Sequence, residues 1–256
     1  MIPLSELAAK YTPWSLSKAE LAATCPRRFN HAYVLKTKKK APTSALLVGQ
    51  VIHKMLEMCL KGCSIQQALS FAEKDNSALM SDDLEKINAL LPYVSSFLQK
   101  ATTYIDKYSP IHKLIETKLA ISQTGSTIGY YDKSCLLRGV VDLALLLKQQ
   151  HAIIIDHKTG KPKDLSQYES QFGCYRLLLK ASYPQLTGMQ SAVNFIQEDR
   201  VEFDIFRETS IIDPLMDTVI TFLNESSKDL ADLEKTSTGW WCGWCDYDAG
   251  CPAKAA

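Results

Sequence analysis

Nine consecutive residues, Gly139-Val140-Val141-Asp142-Leu143-Ala144-Leu145-Leu146-Leu147, carry a single polar side chain, Asp142. A run this short and apolar reads as a buried strand, and a carboxylate inside it is costly to desolvate unless a cation or several hydrogen bonds meet it. A second apolar strand, Ile153-Ile154-Ile155, ends at Asp156, which is followed after His157 by Lys158. Strand alternation sets residues 156 and 158 on one face. Two carboxylates from neighbouring strands, converging beside a lysine, can bind a divalent metal through oxygen. They would place an ammonium near the water that attacks a phosphate.

The surroundings of this pair suggest the fold class. The first hundred residues are patterned as helices: Ser17-Lys18-Ala19-Glu20 has capping-box spacing, Pro26 breaks a helix after Cys25, and Leu47, Val51, Met55 and Met58 form a stripe ended by Gly62. Ser64 and Ser81 are expected to cap two more helices, the second interrupted at Pro92. Strands are expected at 114–121, 135–147 and 152–156, then a helix over 165–181, strands at 190–196 and 201–206, and a last helix over 211–233. A strand, helix, strand connection is almost always a right-handed crossover, so the strand at 190–196 should run parallel to one of the first three. The expected architecture is α/β, with a central mixed β-sheet flanked by helices and a helical N-terminal part. One domain over 1–256 accounts for this: a helical part (17–110) with Cys25 and His53, a sheet core (111–210), and a C-terminal helix with a cysteine cluster (211–256).

Charge totals conceal a segregation. The chain has 29 Lys plus Arg against 28 Asp plus Glu, a net of +1. From Leu21 to Leu56, however, there is no acidic residue, while Arg27, Arg28, Lys36, Lys38, Lys39, Lys40 and Lys54 give +7, leaving 1 − 7 = −6 elsewhere. With Phe29 and Tyr33 interleaved, this stretch is either a solvated connection or a contact for a phosphate backbone. No apolar run is long enough to span a bilayer and the N-terminal residues lack signal-peptide character, so a cytoplasmic protein with reduced thiols is expected.

Other polar residues accompany the two aspartates. Gln171 and Tyr175 share a helix face at a spacing of four, Glu116 lies in the first strand, and His53 sits on an upstream helix. Near the C-terminus, Cys242-x2-Cys245-x5-Cys251 supplies three thiolates, and a tetrahedral zinc or a cubane cluster needs a fourth. Cys25, the only other cysteine followed by proline, is the best candidate. Cys59, Cys63, Cys135 and Cys174 have no ligand spacing.

Taken in order, Gly49-Gln50-Val51-Ile52-His53 with Leu56-Glu57, Glu116, Gly139-x-x-Asp142, Asp156-x-Lys158 and Gln171-x-x-x-Tyr175 resemble the successive motifs of the PD-(D/E)XK nuclease superfamily, in particular its RecB-like branch, which includes CRISPR-associated exonucleases. The resemblance implies a restriction-endonuclease-like core in which Asp142, Asp156, His53 and the backbone carbonyl of His157 hold Mg²⁺ or Mn²⁺. It implies that Lys158 orients the attacking water, that Glu116 assists, and that Gln171 and Tyr175 position DNA. It further implies that Cys25, Cys242, Cys245 and Cys251 hold a [4Fe-4S] cluster, with zinc as the alternative, joining the N- and C-terminal segments beside the basic stretch. The implied activity is a metal-dependent deoxyribonuclease, exonuclease or single-strand endonuclease, acting on single-stranded DNA or ends in recombination, repair, phage DNA processing or CRISPR adaptation. The other reading is a DNA-end-binding or adaptor subunit with little turnover. No Gly-x-x-x-x-Gly-Lys-Ser/Thr loop is present, so unwinding would need a helicase; a recombinase or CRISPR adaptation proteins are the other implied partners.

Overall fold

The computed structural model describes residues 2–75 and 78–254. Helices α1 (Glu6–Lys10), α2 (Leu16–Thr24), α3 (Pro26–Phe29), α4 (Ser44–Leu60), α5 (Ile65–Lys74) and α6 (Ser81–Tyr108) precede strands β1 (His112–Ser122), β2 (Cys135–Leu146) and β3 (His151–Lys158). Helix α7 (Glu169–Ser182), strands β4 (Gly188–Phe195), β5 (Arg200–Phe203) and β6 (Arg207–Glu208), and helix α8 (Asp213–Ser227) follow. The sheet order is β1-β2-β3-β4-β5, with β6 against β4. β4 runs parallel to β3 across the α7 crossover and every other pairing is antiparallel, which makes the sheet mixed. Helices cover both faces. One core joins Ile154 and Val193 to Phe172 and Leu223 of α7 and α8; the other joins Ile155 and Ala192 to Ile52, Ile87 and Phe97 of α4 and α6.

Local chemistry moves several boundaries. Ser64 caps α5 in a reciprocal capping box with Gln67. The cap of α2 is Ser15, which accepts from the Lys18 amide, so Ser17 and Glu20 lie inside that helix instead of opening it. Met80, not Ser81, is the cap position of α6, and the Asp83 carboxylate takes its amide. Helix α6 also passes through Pro92 without a break. An internal proline costs about 3 kcal/mol. Burial of Ile87, Leu90, Val94 and Phe97 on one face offsets it, at roughly 1.5–3 kcal/mol per large side chain. The expected strand over 201–206 ends at Phe203 as β5, with a separate two-residue β6 beginning at Arg207, and the last helix ends at Ser227, after which the chain is irregular apart from short 3-10 turns. Among the described residues, no helix is long and apolar enough to cross a membrane.

Two irregularities shape the middle of the sheet. The β2–β3 ladder stops at the Leu143–Ile155 pair, and beyond it Trp14 takes the place of β3. The Trp14 amide donates to the Leu136 carbonyl (2.7 Å), and the Arg138 amide donates to the Trp14 carbonyl (2.9 Å). At the same level Glu116 of β1 has φ 46°, and its rung opposite Asp142 is missing from the β1–β2 ladder, whose register is otherwise constant from His112 to Ile121 and shifts only at Ser122. Alternation changes phase there. Ile115, Leu143 and Leu145 belong to the core under α4–α6, whereas Leu119, Ile121 and Val141 belong to the core under α7 and α8.

Candidate active site

The carboxylates gather where β2 and β3 separate. Asp142 and Asp156 are almost fully buried, at 8% and 1% exposure. His157, freed from the ladder, donates its amide to Asp142 Oδ2 (2.8 Å). Asp156 Oδ1 accepts from the Gln171 side-chain amide (2.6 Å) and, more loosely, from the Tyr175 hydroxyl (3.4 Å); Gln171 also donates to that hydroxyl (2.9 Å). Asp156 Oδ2 pairs with Lys158 Nζ at 2.7 Å. The i,i+4 spacing on α7 therefore brings both side chains to the same carboxylate.

His53 enters from α4. Its Nδ1 lies 3.6 Å from Glu116 Oε1 and 3.5 Å from Asp142 Oδ2, and its Nε2 donates to the His157 carbonyl (3.0 Å). Gly49, one turn earlier, lets α4 approach closely, since a Cβ there would stand 3.1 Å from Thr159 Oγ1. Ligand atoms of His53, Glu116 and Asp142 all lie within 4.8 Å of one another, a spacing that one cation can bridge. A cleft of about 550 Å³ opens over them, lined by Gln50, His53, Glu116, Lys158 and Thr159 among others.

The electrostatics fit a site short of positive charge. Burial, then the neighbouring Asp156 carboxylate, pushes Asp142 up to about 7. Burial alone would lower His53, but its bond to Glu116 and the charges of Asp142 and Asp156 carry it above the usual imidazole value. Lys158 behaves likewise: burial opposes its charge, and Asp156 more than restores it. His157 is held neutral by burial. Glu116, in the left-handed region within a strand, is a strained non-glycine residue of the kind that collects at functional sites.

Two contributors were not apparent from the sequence. Asn194 donates to His157 Nδ1 (3.1 Å), and Phe97 packs edge-on against the same ring, together fixing the peptide that serves Asp142 and His53. The available signal for Asn194 was a polar residue between the apolar Ala192-Val193 and Phe195 at the end of the strand Gly188–Phe195.

The cysteines also converge. Cys25, Cys242, Cys245 and Cys251 are free thiols lining one small cavity with Arg28 and Trp241, and the Tyr247 amide donates to Cys245 Sγ (3.4 Å). Their sulfurs do not form a group within 4.8 Å, as the His53 set does. The basic stretch is divided. Arg27 pairs with Glu234 (2.7 Å), Lys40 pairs with Asp248 (2.6 Å), Arg28 faces the cysteines and Phe29 is fully buried, while Lys36, Lys38 and Lys39 are exposed.

The chain matches the family model of the PD-(D/E)XK nuclease superfamily over residues 13–252. No curated protein matches it. Among solved structures it resembles a candidate exonuclease from Eubacterium rectale with 10% identity and TM-score 0.52, covering 91% of this chain and 87% of that one, a likeness of fold. The crystal structure of SSO0001 aligns with 15% identity over 97% of this chain and 95% of that one, at TM-score 0.37. With nearly its whole length matched, the chain belongs to the PD-(D/E)XK nuclease superfamily.

Proposed function

We propose that the protein is a divalent-metal-dependent deoxyribonuclease acting on single-stranded DNA or DNA ends. The observation that carries this reading is the convergence of His53, Glu116 and Asp142 within 4.8 Å beside the Asp156–Lys158 pair, at the floor of an open cleft. Asp142, Asp156, Glu116, His53 and the His157 carbonyl would hold Mg²⁺ or Mn²⁺. That ion would neutralise the phosphate and lower the pKa of a bound water. Lys158, kept charged by Asp156, orients the attacking water and meets the charge that grows on the phosphate. Gln171 and Tyr175 fix the Asp156 carboxylate in one orientation. Lys36, Lys38 and Lys39 remain available for the phosphate backbone.

Cys25, Cys242, Cys245 and Cys251 would hold a [4Fe-4S] cluster. All four thiols line one small cavity, as a shared four-cysteine cofactor requires, and zinc is the alternative to the cluster. An amide already donating to Cys245 Sγ suits a thiolate ligand. The cluster's contribution would be structural, tying the segment at residue 25 to the one at 242–251.

End-labelled single- and double-stranded DNA, incubated with Mg²⁺ or Mn²⁺, tests the assignment. Asp142→Ala, Asp156→Ala and Lys158→Ala should each lower cleavage at least about 100-fold while a cooperative melting transition persists. Undiminished cleavage by all three would overturn it.

A further inference from the structure

Beyond the break in alternation, Lys118 of β1 is exposed and Arg138 of β2 is half-buried, whereas Leu119, Leu137 and Val141 beside them belong to the packed core. The turn that joins the strands carries Tyr130 and Tyr131 across both cations. Lys118 Nζ lies 5.6 Å from each ring centroid, and the Arg138 guanidinium lies 5.1 and 5.9 Å from them. Arg138 also donates to the Tyr130 carbonyl (3.3 Å), which fixes the turn to the sheet. Tyr131 meets Tyr130 edge-on at 5.1 Å yet remains 76% exposed, so its ring supports no core and is open to solvent. The nearby acid does not cancel the charge, since Asp132 is turned back onto the amide and hydroxyl of Ser134.

The patch continues in one direction and ends at the metal ligands in the other. Burial, then the Arg138 charge, pushes Lys18 down to about 8, and Lys18 Nζ sits 5.1 Å from the ring of Tyr33, which is 38% exposed. Lys118 is two strand residues from Glu116 and Arg138 is four from Asp142. At about 3.3 Å per residue these steps are roughly 7 and 13 Å, or about two to four nucleotides at the stacked rise of 3.4 Å. Exposed aromatic faces alternating with cations suit a strand whose bases are unpaired, because bases in a duplex hide their faces in the stack.

We propose that Tyr131, with Tyr130, Lys118 and Arg138, forms a stacking platform that receives unpaired DNA bases a few nucleotides from the scissile phosphate and gives the site its preference for single strands. This rests on the nuclease reading above, but its test does not require cleavage. Binding of a fluorescent oligo-dT of about 16 nucleotides is followed by anisotropy in EDTA, beside a duplex of equal length, for the full chain and for Tyr131→Ala, Tyr131→Phe and Tyr131→Trp. Tyr131→Ala should weaken single-strand binding about 5- to 100-fold and duplex binding less than about twofold, with Phe and Trp restoring it. Unchanged single-strand affinity in Tyr131→Ala, an equal loss on both DNAs, or no rescue by Phe and Trp would overturn the platform. Cleavage by the same variants in Mn²⁺ separates the two readings: wild-type cleavage with unaltered Tyr131→Ala binding removes the platform alone. A selective loss of binding with no wild-type cleavage removes the nuclease alone.

Discussion

Asp142 and Asp156 stand one residue beyond the last paired rung of β2 and β3, Leu143 and Ile155. Two buried carboxylates thus face a gap that opens because the strands part. The backbone amide released there, that of His157, is the one that holds Asp142.

Removing one charge from this gap should stabilise the metal-free protein in a pH-dependent way. The folded-state value of Asp142, about 7, exceeds its ordinary value, so between roughly pH 4 and pH 7 the folded state binds more protons than the unfolded one. Stability therefore falls as pH rises through that window. In EDTA, Asp142→Asn should melt roughly 2–4 °C above wild type near pH 8, with the difference shrinking towards pH 5. A difference independent of pH would contradict the burial and repulsion assigned to Asp142.

Gln171→Ala leaves Asp156 Oδ1 with only the 3.4 Å contact from Tyr175. A hydrogen bond to a charged group contributes about 1.5–3 kcal/mol, so the rate of cleavage should drop about 10- to 100-fold. The Mn²⁺ concentration for half-maximal activity should rise as well. Tyr175→Phe should cost less on both measures. Steady-state assays across a metal titration distinguish this positioning role from a loss of fold.

Glu116 has left-handed backbone geometry, which costs a side-chain-bearing residue about 1–2 kcal/mol. Glu116→Gly and Glu116→Ala both remove the carboxylate and should both cut poorly. The glycine variant should melt higher than the alanine variant by roughly 2–4 °C, because only glycine relieves the strain. Equal melting temperatures would place the strain elsewhere.

The eight cysteines should separate by chemistry. Burial pushes the Cys174 thiol up to about 12 and raises Cys135. Both should resist iodoacetamide in the native protein at pH 8 and react after unfolding, as read by peptide mass spectrometry. Cys25→Ser, by contrast, should lower iron content and thermal stability together in protein purified without oxygen; full iron retention would remove Cys25 from the ligand set.

Much of this arrangement could be read from residue order. Apolar runs at 139–147 and 153–155 marked two central strands, with Asp142 inside one and Asp156 at the end of the other, and the crossover rule made the strand after α7 parallel to one of the first three, which is β3. What the pattern could not show depends on distant packing. Helix α6 survives Pro92 because its stripe is buried, and Trp14 replaces a departing strand through backbone bonds that any residue but proline could make. Phe29 sits among basic residues yet is wholly enclosed by Tyr11, Trp14 and the helices around it, so sequence proximity to charge misrepresented its surroundings. Arg27 and Lys40 meet acids about two hundred residues away, beyond any local charge count.

The phase change at Glu116 and Asp142 means that one pair of strands is written in two codes. On the near side, an even-numbered residue such as Ala144 or Leu146 is a core position and tolerates little change. On the far side Ala120 and Leu136 are still buried, but Lys118 and Arg138 stand outside the core, so changes there leave the packing that seats the carboxylates in place. A single backbone kink thereby separates the surface that carries Lys118 and Arg138 from the packing that seats Asp142.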